Sequence, residues 1–371
     1  MQPPWRVNTG AADWSVHPRA RLARILVFID LVQDIDVLLP LLLALREGGF
    51  SRVRVIVSRW LVRESPRTAG LLGAHGIDFS YVKRRDVIDG RAPSLRGVAA
   101  VFSAAESSHP AHAAAHALAI RAGAIGARTY VLQHGLENVG LIGHDSHGAV
   151  FASETVFCWF PPAAIPADLA DDTRARLSHV GRPFPPGGWR KPDRPRFGLG
   201  VFENLHWERY AESDRERFLE GLVAVARSRP DLRILLRPHP AGAWSDQLSH
   251  QLAQFSNITR ADAGLARQSP DGSADILGEI ARVITTPSTI ALDAALAGVP
   301  TALAAGGGAV YHPLPELRTP RDWIAFSQGD GFDPSALDQF RSRVLLAGDG
   351  APRILDRLCR DLLGLSLKSN G

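Results

Sequence analysis

Between Arg182 and Pro195 the chain reads RPFPPGGWRKPDRP, with five prolines and two glycines in fourteen residues. Proline fixes φ and lacks a backbone N–H, so this stretch forms neither a helix nor an inner strand. It reads as an interdomain linker. It divides 371 residues into two parts, each long enough for one domain with its own core. The expected boundaries are an N-terminal domain over 1–184, a linker over 185–195 and a C-terminal domain over 196–371.

On both sides of this break, short apolar runs alternate with longer helical patterns. In the first part, strands are expected at Ile25–Ile29, Val53–Val57, Phe79–Val82, Val98–Phe102, Tyr130–Leu132 and Val156–Phe160. Helices are expected at Val32–Arg46, Leu61–Ala74 and Ala111–Ala122. In the second part, strands Phe197–Phe202, Arg233–Arg237, Arg282–Thr285 and Thr301–Ala304 alternate with helices Asp214–Arg227, Trp244–Phe255 and Ile290–Ala297. Ser213 and Glu216 are spaced as a capping box for the first of these helices. Continuous apolar strands separated by helices mark parallel βαβ units covered on both faces. The fold expected is α/β: two Rossmann-like doubly wound domains facing a central cleft, with ligands at the carboxyl ends of the strands.

Composition narrows the class. Apolar residues make up 45% and charged residues 22%, which excludes a disordered or fibrous chain. The stretch Arg24–Leu45 is interrupted by Asp30, Gln33, Asp34 and Asp36, so it is not a membrane span. No signal-peptide pattern opens the chain. Two distant cysteines, Cys158 and Cys359, fit a reducing compartment and no disulfide framework. A cytoplasmic location is expected. Trp5, Trp14 and the arginines Arg6, Arg19, Arg21 and Arg24 allow a peripheral contact with the cytoplasmic face of the inner membrane, or simply form a polar arm. No basic–aromatic interleaving points to nucleic acid.

Three segments at strand ends carry candidate chemistry. Gln133-His134-Gly135 follows Tyr130–Leu132, and a histidine there can serve as a general base or simply pack at a tight strand exit. Arg237-Pro238-His239-Pro240 ends the strand from Arg233, and its prolines stiffen the backbone that projects a cation and an imidazole. That pair suits a phosphate leaving group; a structural turn is the alternative. Thr285-Thr286-Pro287-Ser288-Thr289 precedes the helix at Ile290, where hydroxyls cap free amides or bind an anion.

The order of these segments, QHG, linker, RPHP and TPST followed by ALDAALAGVP, resembles GT-B enzymes of bacterial surface-polysaccharide synthesis. The patterns are similar to those of CDP-glycerol glycerophosphotransferases and CMP-sugar transferases. The resemblance implies a transferase moving a sugar or polyol-phosphate unit from a CMP- or CDP-linked donor to a glycan or lipid-linked acceptor. By it, His134 is the base, with Glu137 or Glu106 as alternatives. Arg237, His239, Thr286, Ser288, Thr289 and the amide of Ile290 hold the donor phosphates. Glu203, at the end of the first strand of the second part, reads either as a donor contact or nucleophile or as a helix-entry residue. No metal or other cofactor is implied. The chain departs from the glycerophosphotransferase pattern at Leu136, where that pattern carries Thr, and at Thr285 or Thr286, where it carries Asp.

Two other readings stay open. A UDP-sugar 2-epimerase shares the fold and phosphate logic but needs further acidic groups, and a catalytically silent scaffold of the same fold would bind glycan or a partner enzyme. His109, His112 and His116 fall near one helical face at metal-ligand spacing, with no Asp, Glu or Cys beside them to complete a set. The stretch Gly143–Gly148 reads as a mobile acceptor loop or a polar turn.

Overall fold

The computed structural model describes residues 17–142, 148–184, 198–206, 208, 210–239, 244–261 and 273–364. The chain forms two compact units: Met1–Gly188 with Leu345–Gly371, and Trp189–Val344. The linker expected over 185–195 lies outside the described residues.

The first unit holds seven parallel strands: β1 (Ile25–Ile29), β2 (Val53–Ser58), β3 (Phe79–Val82), β4 (Ala100–Ser103), β5 (Arg128–Leu132), β6 (Thr155–Cys158) and β7 (Leu177–His179). Their order across the sheet is β3-β2-β1-β4-β5-β6-β7. β1 is buried at every position, as a strand covered on both faces must be. Leu26, Phe28, Ile56 and Val101 pack with Leu118 of the helix Ala113–Ala124 on one face. The second unit is a five-stranded parallel sheet of β8 (Leu199–Glu203), β9 (Ile234–Pro238), β10 (Ile258–Arg260), β11 (Arg282–Thr285) and β12 (Thr301–Leu303), in the order β10-β9-β8-β11-β12. Its core joins Val201, Leu236 and Ile284 to Phe218 and Trp323 of two covering helices. Gly221 lies where the helices Glu212–Ser228 and Pro320–Gln328 cross, and a Cβ there would collide with the Trp323 ring.

Four expectations change. The C-terminal domain does not run to residue 371: residues from Leu345 onward belong to the first unit. Leu346 N–H donates to the Trp159 carbonyl at 2.7 Å and Gly350 N–H to that of Arg182 at 2.9 Å. The helix Gly350–Leu363 then buries Ile354, Leu355 and Leu358, and its Asp361 accepts from Tyr130 Oη at 2.9 Å. An amphipathic helix follows the apolar surface that covers it, whichever side of a linker its sequence lies on. Second, the helix expected over Leu61–Ala74 is two helices, Arg59–Glu64 and Pro66–Ala74, because Pro66 opens a new helix at its first position. Third, the helix expected from Asp214 begins at Glu212, and the carboxylate of Asp214, not a Ser213–Glu216 box, accepts from Ala211 N–H at 3.0 Å. Fourth, the helix expected over Trp244–Phe255 is a short 3-10 turn (Trp244–Leu248) followed by a single helical turn (Ser249–Leu252).

Candidate functional site

In the first unit, β4 and β5 are neighbours, so the loops leaving their carboxyl ends meet. Gln133 stitches this edge. Its Oε1 accepts from Trp159 N–H at 2.8 Å and its Nε2 donates to the Gly135 carbonyl at 2.8 Å. His134 follows, half-buried, with its backbone N–H donating to Asn138 Oδ1 at 3.1 Å. Its Nδ1 lies 2.9 Å from the carbonyl oxygen of Ala104. A carbonyl only accepts, so Nδ1 carries the proton and the neutral ring holds its lone pair on Nε2. Burial lowers the His134 pKa, with the Ala104 hydrogen bond opposing it. Such a ring is a base that stays unprotonated at neutral pH.

Around it stand further histidines. His112 is buried; its Nδ1 is 2.8 Å from Ser107 Oγ, and its ring meets His134 edge-on at 5.9 Å between centroids. Burial, and then the neighbouring His134, His109 and His116, push its pKa down to about 3. The His109 ring also packs on His112, with centroids 5.4 Å apart. The histidine spacing seen in the sequence therefore builds a packed imidazole cluster. Among the described residues no group of three or more His, Cys, Asp or Glu is arranged to hold a metal.

Glu106 is placed otherwise than a base should be. Its carboxylate is fully buried and accepts from Ala152 N–H at 3.0 Å, Ser153 N–H at 3.1 Å and His116 Nδ1 at 2.6 Å. It clamps the chain entering β6 to the helix Ala113–Ala124, which is a structural role for the residue expected as an alternative base. Glu137 is half-buried in the turn closed by Asn138 N–H and the Ile142 carbonyl at 2.7 Å. Leu136 is fully buried, which accounts for an apolar residue there. Residues 143–147 of the expected acceptor loop lie outside the described residues.

In the second unit, β9, β8 and β11 are consecutive, and their carboxyl ends carry the remaining candidates. His239 N–H donates to the Glu203 carbonyl at 2.7 Å, and its half-exposed ring stacks on His206 with centroids 5.1 Å apart. Arg237 is buried at the end of β9. Asn204, which sequence reasoning missed, ties β8 to the 286–289 turn: its N–H donates to Thr286 Oγ1 at 3.0 Å and its Nδ2 to the Pro287 carbonyl at 2.8 Å. Only an extended strand exit containing Asn hinted at this.

Two of the expected ligand groups are buried. Thr286 is fully buried with its hydroxyl accepting from Asn204 N–H, and it shapes the turn. Glu203 is buried, with Oε2 accepting from Leu205 N–H at 2.9 Å; burial raises its pKa, against Leu205, Ser245 and Arg260, which lower it. Ser288 and Thr289 are half-buried, and Ser288 Oγ accepts from Ile290 N–H at 3.4 Å. Ser288, Thr289 and the imidazole of His239 are the candidate groups of this edge with surface left to offer.

No protein-family model matches the sequence, and no curated protein does. Solved structures match across both units. The S. aureus MnaA–UDP structure has a TM-score of 0.64 at 12% identity, covering 94% of this chain and 98% of that one. The UDP-GlcNAc 2-epimerase of Methanocaldococcus jannaschii in complex with UDP-GlcNAc and UDP gives 0.60 at 9%, covering 91% and 99%. The wall teichoic acid polymerase TagF gives 0.54 at 12%, covering 93% and 90%. Identities this low carry the fold and no more: the chain has the GT-B fold, two Rossmann-like α/β units.

Proposed function

We propose that this chain is an enzyme acting on a nucleotide-linked sugar, with a phosphate-binding edge on the second unit and His134 as the candidate acid–base group of the first unit. The observation that carries the reading is the placement of Arg237, His239 and the Ser288–Thr289 turn at the carboxyl ends of β9 and β11, the two parallel strands that flank β8. That is where doubly wound sheets bind nucleotides, and the hydroxyl and imidazole donors that reach the surface there, with the buried Arg237 adding positive charge, suit a pyrophosphate.

Between the two chemistries drawn from the sequence, the fold comparison favours inversion at C2 of a UDP-sugar. The Methanocaldococcus jannaschii UDP-GlcNAc 2-epimerase matches with a TM-score of 0.60 against 0.54 for the wall teichoic acid polymerase. Inverting a carbon centre requires a proton to leave one face and return on the other, and the Nε2 lone pair of His134 suits the first step. Transfer of a sugar or polyol-phosphate unit from a CMP- or CDP-linked donor is the second reading. It is favoured by the QHG and RPHP segments, and His134 would then deprotonate the acceptor hydroxyl.

One experiment separates them. The protein is incubated with UDP-GlcNAc in D₂O and followed by NMR, and in parallel with CDP-glycerol and a glycan acceptor. Deuterium at C2 with appearance of the 2-epimer supports the first reading. Acceptor-dependent release of CMP supports the second. Inactivity with both, and no thermal stabilisation by UDP, CDP or CMP, favours the silent scaffold.

A further inference from the structure

The strands of the first unit all start on the edge of the sheet opposite His134, and that amino edge is rich in arginine. The segments leading into the strands are tied side by side. Ile25 N–H donates to the Arg52 carbonyl at 3.0 Å, and Ala99 N–H to that of Arg24 at 2.9 Å. Arg24 Nη1 donates to the Arg96 carbonyl at 3.4 Å, so Arg24, Arg52 and Arg96 stand together at the starts of β1, β2 and β4. Arg54 is the second residue of β2, ahead of its pairing with β3. Arg19 lies in the helix Pro18–Arg21 that leads into β1, and Arg46 in the last turn of the helix Asp34–Glu47 that leads into β2. All six arginines are exposed. The exposed carboxylates beside them are Glu47 and Asp78, while Arg128, at the start of β5, is paired with Glu154 at 3.3 Å. Six arginines against two carboxylates leave an excess of +4, the formal charge of the whole chain, so the rest of the sequence is balanced. Leu22, two residues before Arg24, stands among them and is 58% exposed.

We infer that this amino edge of the first unit docks on a lipid surface carrying anionic headgroups. A single exposed leucine is ordinary on a protein surface, but one set among arginines meets both demands of lipid contact. The guanidinium groups stay charged and fit phosphate oxygens through their planar fork, and the leucine enters the boundary between headgroups and acyl chains. No helix among the described residues is long and apolar enough to cross a membrane, so the contact is peripheral. Nucleic acid is the poorer fit, because the apolar side chain offered here is aliphatic: it enters lipid but stacks on no base. β1 has five residues, which at about 3.3 Å each sets the two ends of the strand roughly 17 Å apart. Docking by the amino edge therefore leaves the strand-end loop of His134 clear of the lipid. It does not depend on which reaction the chain performs.

The full chain is sedimented with vesicles of phosphatidylcholine alone, and with vesicles in which one-third of the lipid is phosphatidylglycerol. It should bind the second and not the first. Salt at about 0.5 M should release it, because charges are then screened over roughly 4 Å. Near an anionic membrane each basic residue strengthens binding about fivefold. The triple variant Arg19→Glu, Arg52→Glu, Arg54→Glu should therefore bind about 100-fold more weakly or worse. These three guanidinium groups make no ion pair or side-chain hydrogen bond among the described residues, so its Tm should match wild type. Leu22→Ser should weaken binding about tenfold, as loss of a leucine from an apolar boundary does. Equal binding to both kinds of vesicle, binding to neither, or wild-type binding by the triple variant or by Leu22→Ser each overturns the inference. Tighter binding to a single-stranded oligonucleotide than to the anionic vesicles also overturns it. Should the triple variant unfold, the two-vesicle comparison and the salt release still decide.

Discussion

The Nδ1–H of His134 is held by the carbonyl of Ala104 at 2.9 Å, and this one contact decides which nitrogen of the ring can accept a proton. On the proposed reading, removing the ring removes the base and leaves the proposed phosphate edge of the second unit intact. His134→Ala should therefore lower kcat by about 10²–10⁴-fold with nucleotide affinity within threefold of wild type. Because burial depresses the His134 pKa, the acid limb of the wild-type profile should fall below the ordinary histidine value. Full turnover in the variant, with collapse in Glu137→Ala, would move the role to Glu137.

The phosphate assignment makes a binding prediction. His239 is half-exposed and stacked on His206, so His239→Ala should leave the fold intact. A hydrogen bond to a charged phosphate contributes about 1.5–3 kcal/mol, which is roughly a 10–150-fold rise in Kd for UDP or CDP. Calorimetry showing unchanged affinity for every uridine and cytidine nucleotide would remove His239 from the site.

Metal independence is the third expectation. The phosphates are assigned to an arginine and neutral donors, and no described cluster offers three metal ligands. Activity should survive exhaustive EDTA treatment; a loss restored by Mg²⁺ or Mn²⁺ would mean that the substrate carries the ion or that ligands were missed.

What could be read in the sequence was set by local physics. β1 and β11 fall where continuous apolar runs placed them, because a strand buried on both faces needs no partner information to be recognised. β7 and β10 were not expected: each is three residues without a fully buried side chain, Leu177–His179 and Ile258–Arg260, on an outer edge of its sheet. The histidine segments of the site were visible because prolines and glycines flank them. The division between presented and buried groups was not. In sequence Glu106 reads as an alternative base and Thr286 and Glu203 as donor contacts, and only the approach of Ala152–Ser153, Asn204 and Leu205 shows which hydrogen bonds their oxygens accept. The return of the helix Gly350–Leu363 to the first unit was equally hidden, since an amphipathic stripe does not name the surface that covers it.

The clamp on Glu106 predicts a stability effect. Glu106→Ala would leave two backbone N–H groups and His116 without their acceptor in the interior. Breaking a buried, hydrogen-bonded pair from one side costs about 3–5 kcal/mol, so urea unfolding of Glu106→Ala should show a midpoint far below that of wild type. A midpoint shift worth less than about 1 kcal/mol would show that the clamp is replaceable.

A final prediction concerns pH and stability, and comes from two buried groups with opposite signs. At the end of β1, Asp34 Oδ2 accepts the N–H groups of Asp30 and Leu31, each at 2.9 Å, while Asp30 takes the guanidinium of Arg84 at 2.7 Å. Two carboxyl groups thus share one cation. Burial, aided by the charge of Asp30, raises Asp34 from 3.8 to about 7, against the two N–H groups and Arg84. Between these values the folded chain binds a proton that the unfolded chain has lost, so this group's stabilisation falls as pH rises from about 4 to 7. Within that window the slope is about 1.4 kcal/mol per pH unit. His112 behaves oppositely. Its pKa falls from 6.5 to about 3, so between those values the unfolded chain binds the extra proton and stability rises with pH. The two windows nearly coincide, and the wild-type profile should be much flatter between pH 4 and 6.5 than either group alone would make it. Single variants uncover the cancellation. Asp34→Asn keeps an oxygen for both N–H groups and loses the titration, so its stability relative to wild type should climb from pH 4 to 7 and then level. His112→Gln should fall relative to wild type across pH 3.5–6.5. Urea unfolding at half-unit intervals gives both difference curves, and a flat difference curve for Asp34→Asn would mean that Asp34 ionises in the folded chain as it does in water.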